Sequence, residues 1–128
     1  MRINQYAFVC LLFAVACSNP AQSSEGKLTM LEIDHKWVLV DEQKKVQYEV
    51  FLYDNGPDYP SEGLYRVVKN GKIGYADATT NAIVIAPQYD CAYPFENGQA
   101  KVSTHCTTTQ EGEYSSWESD AWEYIEKK

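Results

Sequence analysis

The segment Trp37-Val38-Leu39-Val40-Asp41 returns 36 residues later as Ile73-Gly74-Tyr75-Ala76-Asp77, and Tyr53-Asp54 returns at the same offset as Tyr89-Asp90. Farther along, Tyr59-Pro60-Ser61-Glu62-Gly63-Leu64-Tyr65-Arg66-Val67 aligns with Phe95-Glu96-Asn97-Gly98-Gln99-Ala100-Lys101-Val102, where the glycines and the valines are 35 apart. A period of about 36 with a turn glycine at a fixed place marks a repeat, whose single unit cannot bury its apolar face without a neighbour. A third start stands at Trp122-Glu123-Tyr124-Ile125-Glu126. Val67 and Ile73 are 6 positions apart, whereas Val102 and Trp122 are 20 apart, so 14 residues are inserted before the last strand. The chain reads as two full units plus a final strand, with one connection enlarged at about residues 104–120.

Inside the units the apolar runs are short and helical periodicity is weak. Val46, Tyr48 and Val50 alternate with Gln47 and Glu49, the period of a half-buried strand, and Trp37–Val40 precedes them as a second strand across the polar turn Asp41–Lys45. Leu64–Lys69 and Lys72–Ala76 flank Asn70-Gly71. Asn-Gly between apolar runs predicts a hairpin, because a type I′ turn needs positive φ at both central residues. Ile83-Val84-Ile85, bounded by Thr79-Thr80-Asn81 and by Pro87, is a further strand. The last strand has no following unit, and Glu118, Asp120, Glu123 and Glu126 place charge where an open edge needs blunting.

These residues resemble the WG (KWG) β-repeat family of bacteria. Its unit is roughly an aromatic-Gly-x-Ile-Asp strand, an Ile-x-Pro-x-Tyr-Asp segment and a Phe-x-x-Gly-x-Ala-x-Val strand. The second unit matches it best, in Lys72–Asp77, Ile83–Asp90 and Phe95–Val102, with Ile73 in place of the signature Trp. The first unit keeps Trp37 and Asp41 but has Val38 for Gly; the last keeps Trp122, Tyr124 and Ile125 but has Glu123 and Glu126 for Gly and Asp. The resemblance covers about Lys36 to Lys128. It implies an all-β fold of short antiparallel hairpins, about two and a half repeats stacked in a small solenoid-like array. It also implies an interaction module, with no reaction attached.

The N-terminus has a different character. Arg2 precedes the uncharged run Tyr6–Ala16, too short to span a bilayer and polarised like a signal peptide. The sequence Phe13-Ala14-Val15-Ala16-Cys17 resembles the lipobox of bacterial lipoproteins, which implies a signal peptide over 1–16 and acylation of Cys17. Ordinary secretion, with cleavage after Ala14-Val15-Ala16, is the alternative. Ser18 after the acylated cysteine would direct a lipoprotein to the outer membrane, facing the periplasm. Residues 17–27 would then be the lipidated cysteine and a polar tether, and 28–128 the repeat domain.

On that reading Cys10 would leave with the signal peptide and Cys17 would carry lipid, so Cys91 and Cys106 remain. An even pair in an oxidising envelope predicts a disulfide. Two separate buried thiols and a metal site are the rival readings, and the metal reading lacks a CxxC or a histidine cluster. No metal and no cofactor are expected.

With 11 basic against 18 acidic residues, the chain lacks the clustered cations that nucleic acid requires. Asp54 and Asp90 invite a glycosidase reading, which needs two carboxylates flanking one bond. Their shared repeat position favours a structural role instead, each capping backbone amides of the following turn. His35 and His105 have no nucleophile motif beside them, and Gly71, Gly74 and Gly98 form no phosphate-binding fingerprint. The insertion departs from the repeat and concentrates Tyr114 and Trp117 among acidic residues. Aromatic residues on a non-repeat connection suit recognition equally with covering an exposed edge. Tyr114, Trp117 and Trp122 are therefore the candidate binding residues. The expected protein is a noncatalytic, lipid-anchored cell-envelope module for a protein or glycan partner. An enzyme acting on envelope polymers and an inhibitor or immunity-type lipoprotein are the alternatives.

Overall fold

The computed structural model of the protein describes residues 26–112 and 114–127, with only the backbone of Tyr114. Segment 1–16, Cys17 and the tether as far as residue 25 lie outside the described residues. Thirteen strands follow in order: β1 (Thr29–Ile33), β2 (Lys36–Val40), β3 (Val46–Val50), β4 (Leu52–Tyr53), β5 (Gly56–Pro57), β6 (Leu64–Lys69), β7 (Lys72–Asp77), β8 (Ile83–Tyr89), β9 (Cys91–Ala92), β10 (Gln99–Ser103), β11 (Thr107–Glu111), β12 (Tyr114–Glu118) and β13 (Glu123–Glu126). The fold is all-β, as expected.

Six strands form one antiparallel sheet in the order β1-β2-β3-β6-β7-β8, and three form another, β13-β10-β9. The segment Ile83–Ala92 links them. Its first part pairs with β7, through Ile83, Ile85 and Tyr89. Its end pairs with β10, through Cys91 and Ala92. Neither sheet closes into a barrel; β4-β5 and β11-β12 are separate two-stranded hairpins. The 104–120 insertion is thus largely a hairpin of its own.

Two-residue turns of positive φ join strands at Asp34-His35, Asp54-Asn55 and Asn70-Gly71, and at Glu62-Gly63 and Asn97-Gly98 they lead from the bridge residues Ser61 and Glu96 into β6 and β10. Their twist matches that of the flanking strands, which is why such turns are favoured in hairpins. At Asn70-Gly71, φ is 54° and 78°, as the sequence predicts. The turn at Asp34-His35 joins β1 to β2. Strand β1 itself carries weak sequence signal, because its polar residues and single turn dipeptide lack the Asn-Gly mark.

Strands β6 and β7 are buried on both faces. Leu64, Ile73 and Tyr75 join Ile85, Tyr89, Ala92, Phe95, Ala100 and Val102 in one core. Tyr65, Val67 and Ala76 join Leu28, Leu39 and Val50 in a second. A strand covered on both sides reads as a continuous apolar run, which explains Leu64-Tyr65-Arg66-Val67-Val68 and Ile73-Gly74-Tyr75-Ala76.

The structural register refines the repeat. Glu62-Gly63 and Asn97-Gly98 make the same turn, with φ of 55° and 82° in both. Ser61 and Leu64 exchange backbone bonds of 2.8 and 3.1 Å, and so do Glu96 and Gln99. Val67 faces Gly74 across one hairpin, and Val102 faces Glu123 across the equivalent one. The final strand is therefore a third copy of β7, with Glu123 at the position of Gly74 and Glu126 at that of Asp77.

The equivalence of Tyr53-Asp54 with Tyr89-Asp90 does not hold. By strand pairing Tyr48 corresponds to Ile85, since they face Leu39 and Tyr75. Glu49 and Val50 correspond to Cys91 and Ala92, which face Ser103 and Val102 as the first pair faces Val68 and Val67. The first unit places its extra residues in the β4-β5 hairpin; the second places them in the long β8. These differences offset each other, so a common spacing of 36 conceals two conformations. Tyr53 lies exposed in the small hairpin, whereas Tyr89 is buried against β7. Tyr59 and Phe95 part in the same way, exposed and buried respectively.

Candidate functional site

The inserted hairpin builds one wall of an open groove of about 630 Å³. Strand β12 supplies Ser115, Ser116 and Trp117; the β3–β5 region supplies Phe51, Leu52 and Tyr53; the approach to β6 supplies Tyr59, Pro60 and Ser61; and Tyr93, Pro94 and Glu96 come from the second unit. Trp117 is half-buried and packs edge-on against Tyr93 at 5.2 Å between ring centroids, and tilted against Phe51 at 6.0 Å. Tyr53 and Tyr59 make another edge-on pair at 5.9 Å. More than half of each of these two tyrosines stays exposed, and Tyr93 is 36% exposed.

Asp58 and Arg66 also line the groove, and both are buried. Arg66 Nη2 and Nε donate to Asp58 Oδ1 at 2.6 Å and Oδ2 at 2.9 Å, a bidentate pair. The Arg66 backbone N–H donates to the same Oδ2, and Nη1 donates to the Ala92 carbonyl at 3.0 Å. The guanidinium lies 4.1 Å from the centre of the Phe51 ring. A buried ion pair is tolerable only when its remaining hydrogen-bonding capacity is met, as it is here. The pair joins the first unit to the second beneath the aromatic rings.

The root of the inserted hairpin is fixed twice. Cys91 and Cys106 sit at disulfide distance, with Cα atoms 6.2 Å apart, and Cys91 is fully buried. Beside them the Ser103 and Ser119 hydroxyls share a hydrogen bond of 2.8 Å, and each lies within hydrogen-bond distance of the His105 carbonyl. Trp122 is outside the groove; it packs on Tyr93 at 5.6 Å, with Lys101 Nζ 4.5 Å from its ring centre. Of Tyr114 only the backbone is described, opening β12 opposite Glu111, and Cys17 lies outside the described residues. Sequence reasoning reached Trp117 but missed Tyr53, Tyr59 and Tyr93 as a group. The available signal was Arg66 inside an apolar run, which demands a buried carboxylate partner nearby.

Neither Asp54 nor Asp90 lines the groove. Asp90 pairs with Lys72 and accepts the Cys106 N–H at 3.3 Å, contacts that hold its carboxyl below the usual value. Asp54 stands in an exposed turn with φ of 57°. The turn-capping role expected of them belongs instead to Asp41 and Asp77. Asp41 accepts the Gln43 and Lys45 amides, Asp77 those of Thr79 and Thr80, and these amide bonds lower both carboxyls.

The WG containing repeat matches at residues 51–72 and 73–104. Two WG repeats therefore lie side by side in this chain. The boundary between the two matches falls at Ile73, where the second unit begins and β7 leaves its Asn70-Gly71 turn. In this WG-repeat chain the signature glycine has a steric cause: a Cβ on Gly74 would stand 2.4 Å from the Ile85 carbonyl oxygen and 2.5 Å from Pro87 N. Strand β8 crosses there. Glu123 holds the same WG position without conflict, because among the described residues β13 is an edge strand with no such neighbour. No curated protein and no solved structure matches the chain.

Proposed function

We propose that this WG-repeat chain is a noncatalytic binding module of the cell envelope, anchored by lipid on Cys17, which engages a protein or glycan partner through the aromatic groove. One observation carries the reading: Tyr53, Tyr59 and Tyr93 keep much of their surface in water around the packed Trp117. Large aromatic side chains exposed together in a concave site mark recognition surfaces, since they bring contact area at low entropic cost. The noncatalytic part of the reading is favoured by the carboxylates. Glycoside hydrolysis needs two carboxylates, and of the two that line the groove Asp58 is bound to Arg66, which leaves Glu96 alone, while Asp54 and Asp90 lie outside it.

The outer-membrane placement rests on Cys17 and Ser18 in the sequence. Capture from solubilised envelope with the wild-type chain, compared with a Tyr59→Ala/Tyr93→Ala double variant, tests the binding role. A partner retained by wild type and lost by the variant agrees with the proposal; equal retention contradicts it. Cys17→Ala is expected to shift the protein from the membrane fraction to the soluble one, and unchanged fractionation would remove the anchor.

A further inference from the structure

We infer that the groove takes a proline-rich segment of a partner protein in the polyproline II conformation, with a basic residue beside its prolines. This deepens the binding reading above and rests on it. The edge-on pairs Tyr53–Tyr59 and Tyr93–Trp117 each present the face of one ring against the edge of the other. Such pairs leave apolar notches of the kind that receive flat, rigid pyrrolidine rings, and Pro60 and Pro94 extend the apolar wall. A polyproline II segment arrives already extended, so little conformational entropy is lost when it docks.

The polar groups of the groove select among ligand classes. Asp58 and Arg66, the planar groups suited to bidentate hydrogen bonding of a sugar, are already joined to each other and buried. The Ser61 hydroxyl donates to the Phe95 carbonyl. What remains is the hydroxyls of Tyr53, Tyr59, Tyr93, Ser115 and Ser116, and the Glu96 carboxylate. Hydroxyl donors fit a backbone whose carbonyls have no internal partners, and proline brings no N–H in need of an acceptor. Among the described residues no free cation lines the groove, so an acidic ligand finds no counter-charge there. Glu96, on a chain of net charge -7, complements a cationic residue at one end of the segment.

The test uses the full chain in detergent against an array of peptides. Each carries a Pro-x-x-Pro core with arginine on one side or the other, beside counterparts with Pro→Ala or Arg→Glu, and chitohexaose and cellohexaose serve as glycan probes. Binding is read from tryptophan emission, with Trp117→Phe assigning the signal to the groove. Some arginine-bearing peptides are expected to bind with a Kd on the order of 10–100 μM, which is about -7 to -5.5 kcal/mol. Tyr59→Ala, an exposed change that leaves the fold intact, should weaken them about tenfold or more. Glu96→Gln should weaken them a few-fold and flatten their salt dependence.

If no peptide binds better than its Pro→Ala counterpart, the inference falls. Should a hexasaccharide bind in a Tyr59-sensitive way while peptides do not, the inference falls and the binding module stands. If every probe fails and Tyr59→Ala also leaves envelope capture unchanged, both fall.

Discussion

Gly74 shows how much one missing side chain can carry. Its Cβ position is taken by the backbone of β8, whereas Gly63 has open space but a φ of 82°. Gly74→Ala must therefore displace backbone and is expected to cost about 3 kcal/mol, the upper end for overpacking. Gly63→Ala meets only left-handed strain, about 1 to 2 kcal/mol. Urea unfolding of both variants checks the order, and equal losses would contradict the steric account. Ionisable residues add a pH signature. Burial pushes the Tyr65 hydroxyl up to about 12 from 10.0 and raises Tyr75 as well. Both hydroxyls donate while neutral, to Asn81 Oδ1 and to the Tyr93 carbonyl. A raised pKa means that their stabilisation is full below pH 10.0 and is lost as pH rises toward 12. For Asp41, Asp77 and Asp90 the lowering reverses the sign, so their contribution is present above 3.8 and lost as pH falls below it. Thermal melts should show a plateau between these limits and a fall at each end; a Tm still rising above pH 10.0 would contradict the tyrosine assignment.

The inserted β11-β12 hairpin is a distinct element, paired with itself and attached through the Cys91–Cys106 pair, the Ser103–Ser119 contact and Trp117. A bridge between Cys91 and Cys106, at a sequence separation of 15, stabilises by on the order of 3 kcal/mol in the chain-entropy view. Reduction is expected to raise the intact mass by two hydrogens and to speed amide exchange in 107–118 while β6 and β7 stay protected. Simultaneous loss of protection in both regions would contradict this local role. The β6-β7 hairpin was legible in the sequence because Asn70-Gly71 specifies its turn by itself. The β4-β5 hairpin was not, because its six residues are offset by the added length of β8 and so leave the spacing of 36 undisturbed. The same coincidence hid the groove, by pairing Tyr53 with Tyr89 and Tyr59 with Phe95 although the first of each pair is exposed and the second buried.

At the scale of the whole molecule, the repeats lie edge to edge across two sheets, two cores share β6 and β7, and the non-repeat parts of both units converge. The β4-β5 hairpin departs from the first unit and β11-β12 from the second, and together with the Tyr93–Glu96 segment they enclose the aromatic groove. The regular parts of the chain thus hold the scaffold, while the irregular parts form the candidate site. That division explains why periodicity revealed the fold class and only one groove residue, Trp117, stood out beforehand. The most direct measurement of the central claim is photo-crosslinking in intact cells, with a photoreactive residue at position 59 in the groove and, as comparison, at position 32 on β1. A discrete partner captured from position 59, absent from position 32 and lost on Tyr93→Ala, is the predicted result. Capture from position 32 alone, or from both positions without effect of Tyr93→Ala, would contradict the claim that the groove is the binding site.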